Sequence, residues 1–200
     1  MKIIIARHGQ TNENKDAVNS GQESEVLLNE TGKDQAKRLA DFLRKENITF
    51  AYVSPQARAV ETAEHILKHH PSAKVVTSHY LKEQNLGILE GKKDEWKKLK
   101  KESKDPFHLM KPEGGESYQD LQKRAGDFLG GIVVNHKDDN VLVVSHAGTI
   151  GMILLDILKK PITKENYEIH RPENTAFTVL EFSDDNSLHV RFLNDTRHLN

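Results

Sequence analysis

Hydrophobic residues along the chain form short unbroken runs as well as stripes with helical spacing. The runs at residues 3–6 and 141–144 are apolar throughout, which is typical of strands buried on both faces of a parallel sheet. Residues 50–53 form another short run, and Val75 with Val76 indicates a further strand. An alternating pattern around a turn at 183–187 predicts a C-terminal hairpin from Phe177, Val179, Leu188, Val190 and Phe192.

Stripes with i, i+3 and i+4 spacing lie between these runs and predict helices. Thr31, with Asp34 three residues later, is the predicted N-cap of the first helix, and Ser54-Pro55 predicts the start of a second one. The alternation of strands and helices indicates an α/β fold. The apolar stripes are Ala36, Leu39, Ala40 and Leu43; Tyr118, Leu121, Ala125, Phe128, Leu129, Ile132 and Val133; and Ile150, Ile153, Leu154 and Ile157.

Two of the predicted strands end in a histidine. The first run breaks into Arg7-His8-Gly9, and the run at 141–144 continues through Ser145 into His146. In open α/β sheets, ligands bind in the crevice outside the carboxyl ends of the strands. We therefore expect His8 and His146 to face each other in one crevice.

A second arginine is predicted at the same edge. Arg58 lies in the first turn of the helix after Ser54-Pro55, and helical side chains lean back toward the N-terminus. Arginine guanidinium groups match phosphate oxygens in a bidentate manner, and a histidine can form a covalent intermediate. Together, two histidines and two arginines indicate a site for a phosphoryl group.

Composition narrows the alternatives. The 200 residues, 30% charged and 36% hydrophobic, predict one domain with one sizeable core. A net charge of −1 gives no overall attraction to nucleic acid or to an anionic membrane, and neither is expected as a partner. The chain has no cysteine, which excludes disulfides, thiolate zinc sites and a cysteine nucleophile. The N-terminal apolar run is too short for a signal peptide, so a cytoplasmic location is expected.

Two further patterns favour ordinary surface roles. The segment 92–104 has seven lysines against three acids, with Trp96 and Leu99 as its large apolar residues. It predicts a solvated helix, with at most a modest attraction for anionic substrates. The histidines other than His8 and His146 show no paired ligand spacing, so no metal site is expected.

Five segments in the order of a known family carry a resemblance. They are residues 7–11, residues 54–63, Glu83 with Gly87 and Glu90-Gly91, residues 114–117, and residues 144–148. By these segments the chain resembles the histidine phosphatase superfamily, the phosphoglycerate-mutase-like proteins. The resemblance implies a three-layer α/β/α sandwich with a mostly parallel central sheet, in one catalytic domain over residues 1–200 with capping segments at about 12–25 and 92–115.

The resemblance also implies the roles of individual residues. His8 would be the nucleophile that becomes phosphorylated, while Arg7, Arg58 and His146 would hold the phosphoryl oxygens. Glu83 would protonate the leaving oxygen and then activate water, without metal or cofactor. His8 must be neutral to attack, whereas His146 serves best protonated, so the pocket has to distinguish two imidazoles.

The rim of the pocket is assigned by the same resemblance. Asn14, Ser20, Gly21 and the backbone of Ala147 are expected to contact substrate. Glu90 competes with Glu83 for the role of the acid, and Glu83 is favoured. The chain departs from the family at Glu13, where a tryptophan is usual, and at Leu28-Asn29, where Leu-Thr is common. Asn174 is interpreted as structural and is left out of the site.

The preferred hypothesis is a histidine acid-type phosphatase, a phosphomonoesterase acting on a small phosphorylated metabolite through a phosphohistidine on His8. The alternative is a cofactor-dependent phosphoglycerate mutase using the same residues, although such mutases tend to have longer capping sequence than residues 91–114 provide. A third hypothesis, a binding domain without the chemistry, is disfavoured because each matched catalytic position has a competent residue. The sequence does not predict the oligomeric state.

Overall fold

A six-stranded sheet forms the centre of the computed structural model, which describes residues 1–16, 18, 20–22, 25–183 and 187–200. The strand order is β3-β2-β4-β1-β5-β6. The strands are β1 (Lys2–Arg7), β2 (Phe50–Val53), β3 (Lys74–Thr77), β4 (Asn140–Ser145), β5 (Phe177–Phe182) and β6 (Leu188–Asp195).

The sheet is mostly parallel, as expected. β1 to β4 pair in parallel, and β5 and β6 are the antiparallel exceptions. In the pairing of β1 with β4, Arg7 lies opposite Ser145, so the residue after each strand leaves the sheet at the same level. The predicted C-terminal hairpin is confirmed for β5 and β6. Its turn is closed by a 3.0 Å hydrogen bond from Ser183 N to Ser187 O, while residues 184–186 lie outside the described chain.

Helices pack on both faces of the sheet and give three layers. Ile4 of β1 packs in one core with Leu39, whereas Ile3 and Ile5 enter a second core with Ile153 on the opposite face. Each such residue is almost fully buried, which stabilises the fold by about 1.5–3 kcal/mol per side chain. The helices are α1 (Asn12–Lys15), α2 (Glu30–Leu43), α3 (Ala57–Leu67), α4 (Glu95–Glu102), α5 (Tyr118–Asn135), α6 (Ala147–Ile157) and α7 (Lys164–His170).

Two predicted helix starts are wrong by about two residues. The N-cap of α2 is Asn29, whose side chain accepts from Gly32 N at 2.8 Å, so Thr31 lies inside the first turn. The N-cap of α3 is Gln56 rather than Ser54. The Ser54 hydroxyl instead lies 2.7 Å from a ring nitrogen of His146, and this contact competes with capping.

The segment 12–25 is not the simple loop that its polar sequence predicts. It begins with α1, because the Thr11 side chain accepts from Asn14 N and caps one helical turn. Residues 17, 19, 23 and 24 of this predicted cap lie outside the described chain. The lysine-rich helix is present as α4 and is anchored through the buried Trp96.

None of the helices in the described part of the chain combines the length and the apolar character needed to cross a membrane.

Candidate active site

The two strand-end histidines lie side by side. The ring centroids of His8 and His146 are 5.1 Å apart, with a 56° angle between the ring planes. Both residues are almost completely buried, and His8 N donates to Ser145 O across the two strands at 3.0 Å. The parallel pairing of β1 with β4 thus brings together two residues that are 138 positions apart, as the sequence predicts.

Different hydrogen bonds orient the two rings. His8 Nδ1 lies 2.7 Å from Gly9 O, and because a carbonyl can only accept, Nδ1 carries the proton. This leaves the lone pair on Nε2 of the neutral ring. His146 Nε2 lies 2.7 Å from Ser54 Oγ, while its buried Nδ1 has no partner among the described residues. His8 is therefore held in the tautomer that a nucleophile at Nε2 requires.

Burial lowers the pKa of both imidazoles well below the usual histidine value, and the positive charge of Arg58 adds to the effect. The pKa of His146 is lowered further by His8 and by Arg7. The expected division between a neutral His8 and a protonated His146 is thus absent from the described site, where both rings are neutral near pH 7. The two rings differ in their hydrogen bonds, not in the direction of their pKa shifts.

Two buried arginines lie beside His8. Arg7 Nη1 donates to Pro172 O at 2.9 Å, and its buried Nε has no partner in the described part of the chain. Arg58 Nη2 donates to Gly21 O at 3.2 Å. Burial, with repulsion from Arg171, lowers the pKa of Arg7 to about 10, and burial also lowers the pKa of Arg58. Both guanidinium groups remain charged near neutral pH and are suited to a phosphate.

Glu83 lies at the N-terminus of α6. Its Oε2 accepts from Gly148 N at 3.0 Å, and its Oε1 accepts from Thr149 N at 3.2 Å and from Gln84 N at 2.8 Å. A carboxylate at this place is stabilised by the free amides and the dipole of the helix. These contacts hold the acid at the end of β4, near the pair of histidines.

The segment around Glu83 is held by an ion pair that the sequence analysis did not identify. Arg124 Nε lies 2.8 Å from Glu116 Oε1, and the same guanidinium donates to the carbonyl oxygens of Tyr80, Lys82 and Glu83. Glu116 belongs to the Gly-Gly-Glu-Ser segment, so the structure gives that motif a positioning role.

Gln56 links the acid to the loop on the other side. Its Nε2 donates to Gly21 O at 2.7 Å, and its Oε1 accepts from Glu83 N at 2.9 Å. A buried glutamine can make both contacts because its amide has a donor and an acceptor end. The sequence offered no signal for this role beyond the position of Gln56 two residues before Arg58.

One cavity of about 550 Å³ contains most of the predicted site. This volume is in the range of small-molecule pockets. Gly21, His146 and Glu90 are not among the described lining residues: Gly21 O accepts from Arg58, the ring of His146 contacts the ring of His8, and Glu90 Oε1 accepts from Gly21 N at 2.7 Å. The predicted residues on the lining are Arg7, His8, Asn14, Ser20, Arg58, Glu83 and Ala147.

The lining also includes residues that the sequence analysis left out. Asn174, interpreted there as structural, lines the cavity, and its Nδ2 donates to His8 O and to Asn14 Oδ1, both at 3.1 Å. Its position just before β5, which pairs with β1, was the available signal. Tyr167 and Arg171 also reach the cavity, from α7 and the residue after it. The short stripe of α7 gave no comparable signal.

Histidine and carboxylate side chains within the described ranges do not form a group of three or more that could hold a metal ion.

Comparisons with known proteins find phosphatases that are similar to this chain. A metal-independent phosphoserine phosphatase of Arabidopsis thaliana is 36% identical over 165 residues, covering 78% of this chain and 68% of that protein. A broad-specificity phosphatase of Saccharomyces cerevisiae is 29% identical over 216 residues, covering 100% of this chain and 87% of that protein.

Among solved structures, Bacillus stearothermophilus YhfR superposes with a TM-score of 0.89 at 26% identity, covering 100% of this chain and 99% of that one. The family profile of the histidine phosphatase superfamily (branch 1) matches residues 3–196. The chain therefore belongs to the histidine phosphatase superfamily and is an enzyme whose relatives include phosphatases.

Proposed function

We propose that this protein is a phosphomonoesterase of the histidine acid type, which hydrolyses a small phosphorylated metabolite through a phosphohistidine on His8. The observation that carries the proposal is that His8, Arg7, Arg58 and Glu83 line one cavity and that the ring of His146 contacts the ring of His8. The names of the two phosphatase relatives support hydrolysis of small phosphate esters.

In the first step, His8 Nε2 attacks phosphorus, and the bond between phosphorus and the ester oxygen breaks. Arg7 and Arg58 balance the charge on the phosphoryl oxygens, and the unpartnered Nε of Arg7 is available for this contact. Glu83, in its protonated form, donates its proton to the leaving oxygen. The alcohol departs and the phosphoryl group remains on nitrogen.

In the second step, the Glu83 carboxylate accepts a proton from water, whose oxygen attacks phosphorus. The bond between nitrogen and phosphorus breaks, inorganic phosphate leaves, and both His8 and Glu83 return to their starting states. The hydrogen bonds of Glu83 to the start of α6 keep the same carboxyl group available for both steps.

In this scheme, His146 becomes protonated only when substrate is bound. Both imidazoles are neutral in the free site, and a phosphate dianion near a neutral imidazole raises its pKa. The buried Nδ1 of His146, which has no partner among the described residues, is the donor assigned to a phosphoryl oxygen. The required difference in protonation between His8 and His146 thus arises from the bound substrate.

We assign substrate selection to the segments around 12–25 and 92–115, as caps of a single catalytic domain. Asn14 and Ser20 of the first segment and Trp96 of the second lie on the cavity. Gly21 contributes through its carbonyl, which Arg58 and Gln56 both contact.

The proposal is tested with His8→Ala. We expect the variant to lose aryl phosphatase activity by about a thousandfold or more, and to lose the acid-labile label that wild-type protein acquires from a radiolabelled phosphate ester. His79→Ala, at an exposed histidine outside the cavity, is the matched control and is expected to retain both. A labelled His8→Ala protein with wild-type turnover would refute the mechanism.

The mutase alternative is decided by the fate of the phosphoryl group. A mutase has to protect its phosphohistidine from water, whereas a phosphatase has to admit water. With 3-phosphoglycerate as the substrate, we expect the rate of inorganic phosphate release to exceed the rate of 2-phosphoglycerate formation. Faster interconversion than release would favour the mutase.

A further inference from the structure

Two further cations line the cavity, in addition to the arginines beside His8. Lys100, near the end of α4, and Arg171, just after α7, both line the cavity. We call these two residues the distal cation pair. The chemistry proposed above uses neither side chain.

The distal cation pair differs from cations of this chain that have a carboxylate partner. Lys97, one turn earlier on α4, also lines the cavity but lies 2.9 Å from Asp94, and Lys123 on α5 lies 2.6 Å from Asp127. By contrast, Lys100 and Arg171 make no ion pair within the described ranges, and Lys100 Nζ lies 5.4 Å from the centroid of the Trp96 ring. Lysines on a solvated helix face would not account for two cations that line one cavity without an ion-pair partner among the described residues.

The electrostatic environment adds to this picture. Burial and then repulsion from Arg171 lower the pKa of Lys100, and Arg171 also contributes to the lowered pKa of Arg7. Glu168 lines the cavity and raises the pKa of both Lys100 and Arg171, but it is not within ion-pair distance of either. The pKa of Arg171 is raised overall, chiefly by Tyr167, so this guanidinium keeps its charge although no described carboxylate lies within ion-pair distance of it.

Neutral hydroxyl groups accompany the cations. Tyr118 and Tyr167 line the cavity, and burial raises the pKa of both hydroxyls, so they stay protonated and can donate hydrogen bonds. Stacking of Tyr118 on Phe107, with ring centroids 4.4 Å apart, supports this wall. Cations and hydroxyl donors together suit a carboxylate or a phosphate.

We propose that the distal cation pair binds a second anionic group of the substrate, so that the enzyme prefers phosphate monoesters that also carry a carboxylate or another phosphate. This inference rests on the proposed function, because it takes the site of Arg7 and Arg58 as that of the scissile phosphoryl group. Arg171 and Lys100 are specificity-determining residues in this scheme.

The test compares matched esters on the full-length chain. 3-Phosphoglycerate and glycerol 3-phosphate differ in a carboxylate, and fructose 1,6-bisphosphate and fructose 6-phosphate differ in a second phosphate. We expect the wild-type protein to prefer the more anionic member of at least one pair by about tenfold or more in kcat/KM, mainly through a lower KM. The pair that shows the preference identifies the second group as a carboxylate or a phosphate.

Arg171→Gln and Lys100→Met are expected to reduce this preference to about threefold or less. Lys101→Met, the next residue on α4 and exposed outside the cavity, removes the same charge and is expected to retain the preference. Absence of a preference in both wild-type pairs, or an unchanged preference in both variants of the distal cation pair, would overturn the inference.

The outcomes separate this inference from the proposed function. Hydrolysis of all four esters without preference leaves the phosphatase proposal intact and overturns the role of the distal cation pair. If wild-type protein hydrolyses none of them, the phosphatase proposal fails, and calorimetric titration of the same protein measures the binding preference directly. Equal binding of the paired esters would then overturn the inference as well.

Discussion

The absence of a side chain at Gly148 leaves room for the carboxyl group of Glu83, the proposed acid. A Cβ atom at this position would lie 2.4 Å from Glu83 Oε1 and 3.2 Å from its Cδ. Because the end of a glutamate side chain is flexible, the carboxyl group would move and the fold would remain. The glycine therefore fixes where Glu83 can deliver its proton.

We expect Gly148→Ala to lower kcat/KM by about tenfold to a hundredfold for alkyl phosphates, and much less for p-nitrophenyl phosphate. An alkoxide needs protonation to leave, whereas p-nitrophenolate is stable without it. The ratio of the two kcat/KM values in each protein is the measurement, because kcat/KM reports the steps up to departure of the alcohol and not the later hydrolysis, which needs Glu83 with both esters.

Gly126→Ala is the control for this substitution, because its Cβ would meet Asp156 Oδ2 at an ordinary 3.5 Å. A Gly148→Ala protein whose kcat/KM falls equally for both kinds of ester would contradict the role of Glu83 as the acid.

At the scale of single residues, the sequence was informative where a polar group interrupts an apolar run. His8 and His146 follow buried strands, and this placement predicted their contact. Arg171 and Tyr167 line the same cavity, although they lie far from His8 in the sequence. Residues that line a cavity do not recur at a regular spacing along the chain, so no periodic pattern marks them. Their roles therefore depend on tertiary packing, which local patterns do not contain.

Among the elements, α5 has a local weakness that can be repaired. Gly130 is exposed in this helix, and a Cβ there would meet nothing within 4 Å. Glycine in a helix interior costs about 1 kcal/mol relative to alanine.

Gly130→Ala is accordingly expected to raise the free energy of unfolding by about 0.5–1 kcal/mol, as measured by urea denaturation, with unchanged kcat. Gly87→Ala is the opposite case, because Gly87 has a φ of +50° and its Cβ would lie 2.0 Å from Glu113 O. That variant is expected to be destabilised, and a gain in stability there would contradict the packing described.

Elements with long apolar patterns were predicted well, and so were the short strands β2 and β3, whereas the short helix α7 was not. β1, β4, α5 and α6 follow from their runs and stripes, since each buries many apolar side chains. α7 has seven residues, of which two are buried, so its pattern is too short to detect. The starts of α2 and α3 were predicted about two residues away from their observed positions because the sequence does not show which polar side chain caps a helix. Asn29 caps α2, and the Ser54 hydroxyl contacts His146 instead of capping α3.

On the scale of the whole molecule, buried neutral histidines make stability dependent on pH. Burial lowers the pKa of His198 to about 4, and its ring lies 2.9 Å from Thr175 Oγ1. The pKa values of His8 and His146 are lowered as well. The unfolded chain therefore binds more protons than the folded one once the pH falls below about 6.5, and acid favours unfolding.

We expect the free energy of unfolding, measured in urea, to fall between about pH 7.5 and about pH 5. His198→Asn removes one contributor and is expected to reduce this fall, whatever its effect at the higher pH. His189→Asn, at an exposed position on β6, is expected to retain the wild-type fall. Identical pH dependence in the two variants would show that His198 does not titrate as described.

The pairing of β1 with β4 sets the distance between the two imidazoles through backbone hydrogen bonds, independently of the residues that form the outer walls of the cavity. Substitutions in those walls can therefore change which ester is accepted while the distance between the two imidazoles stays the same. Such a separation lets one catalytic centre acquire new substrates through few mutations.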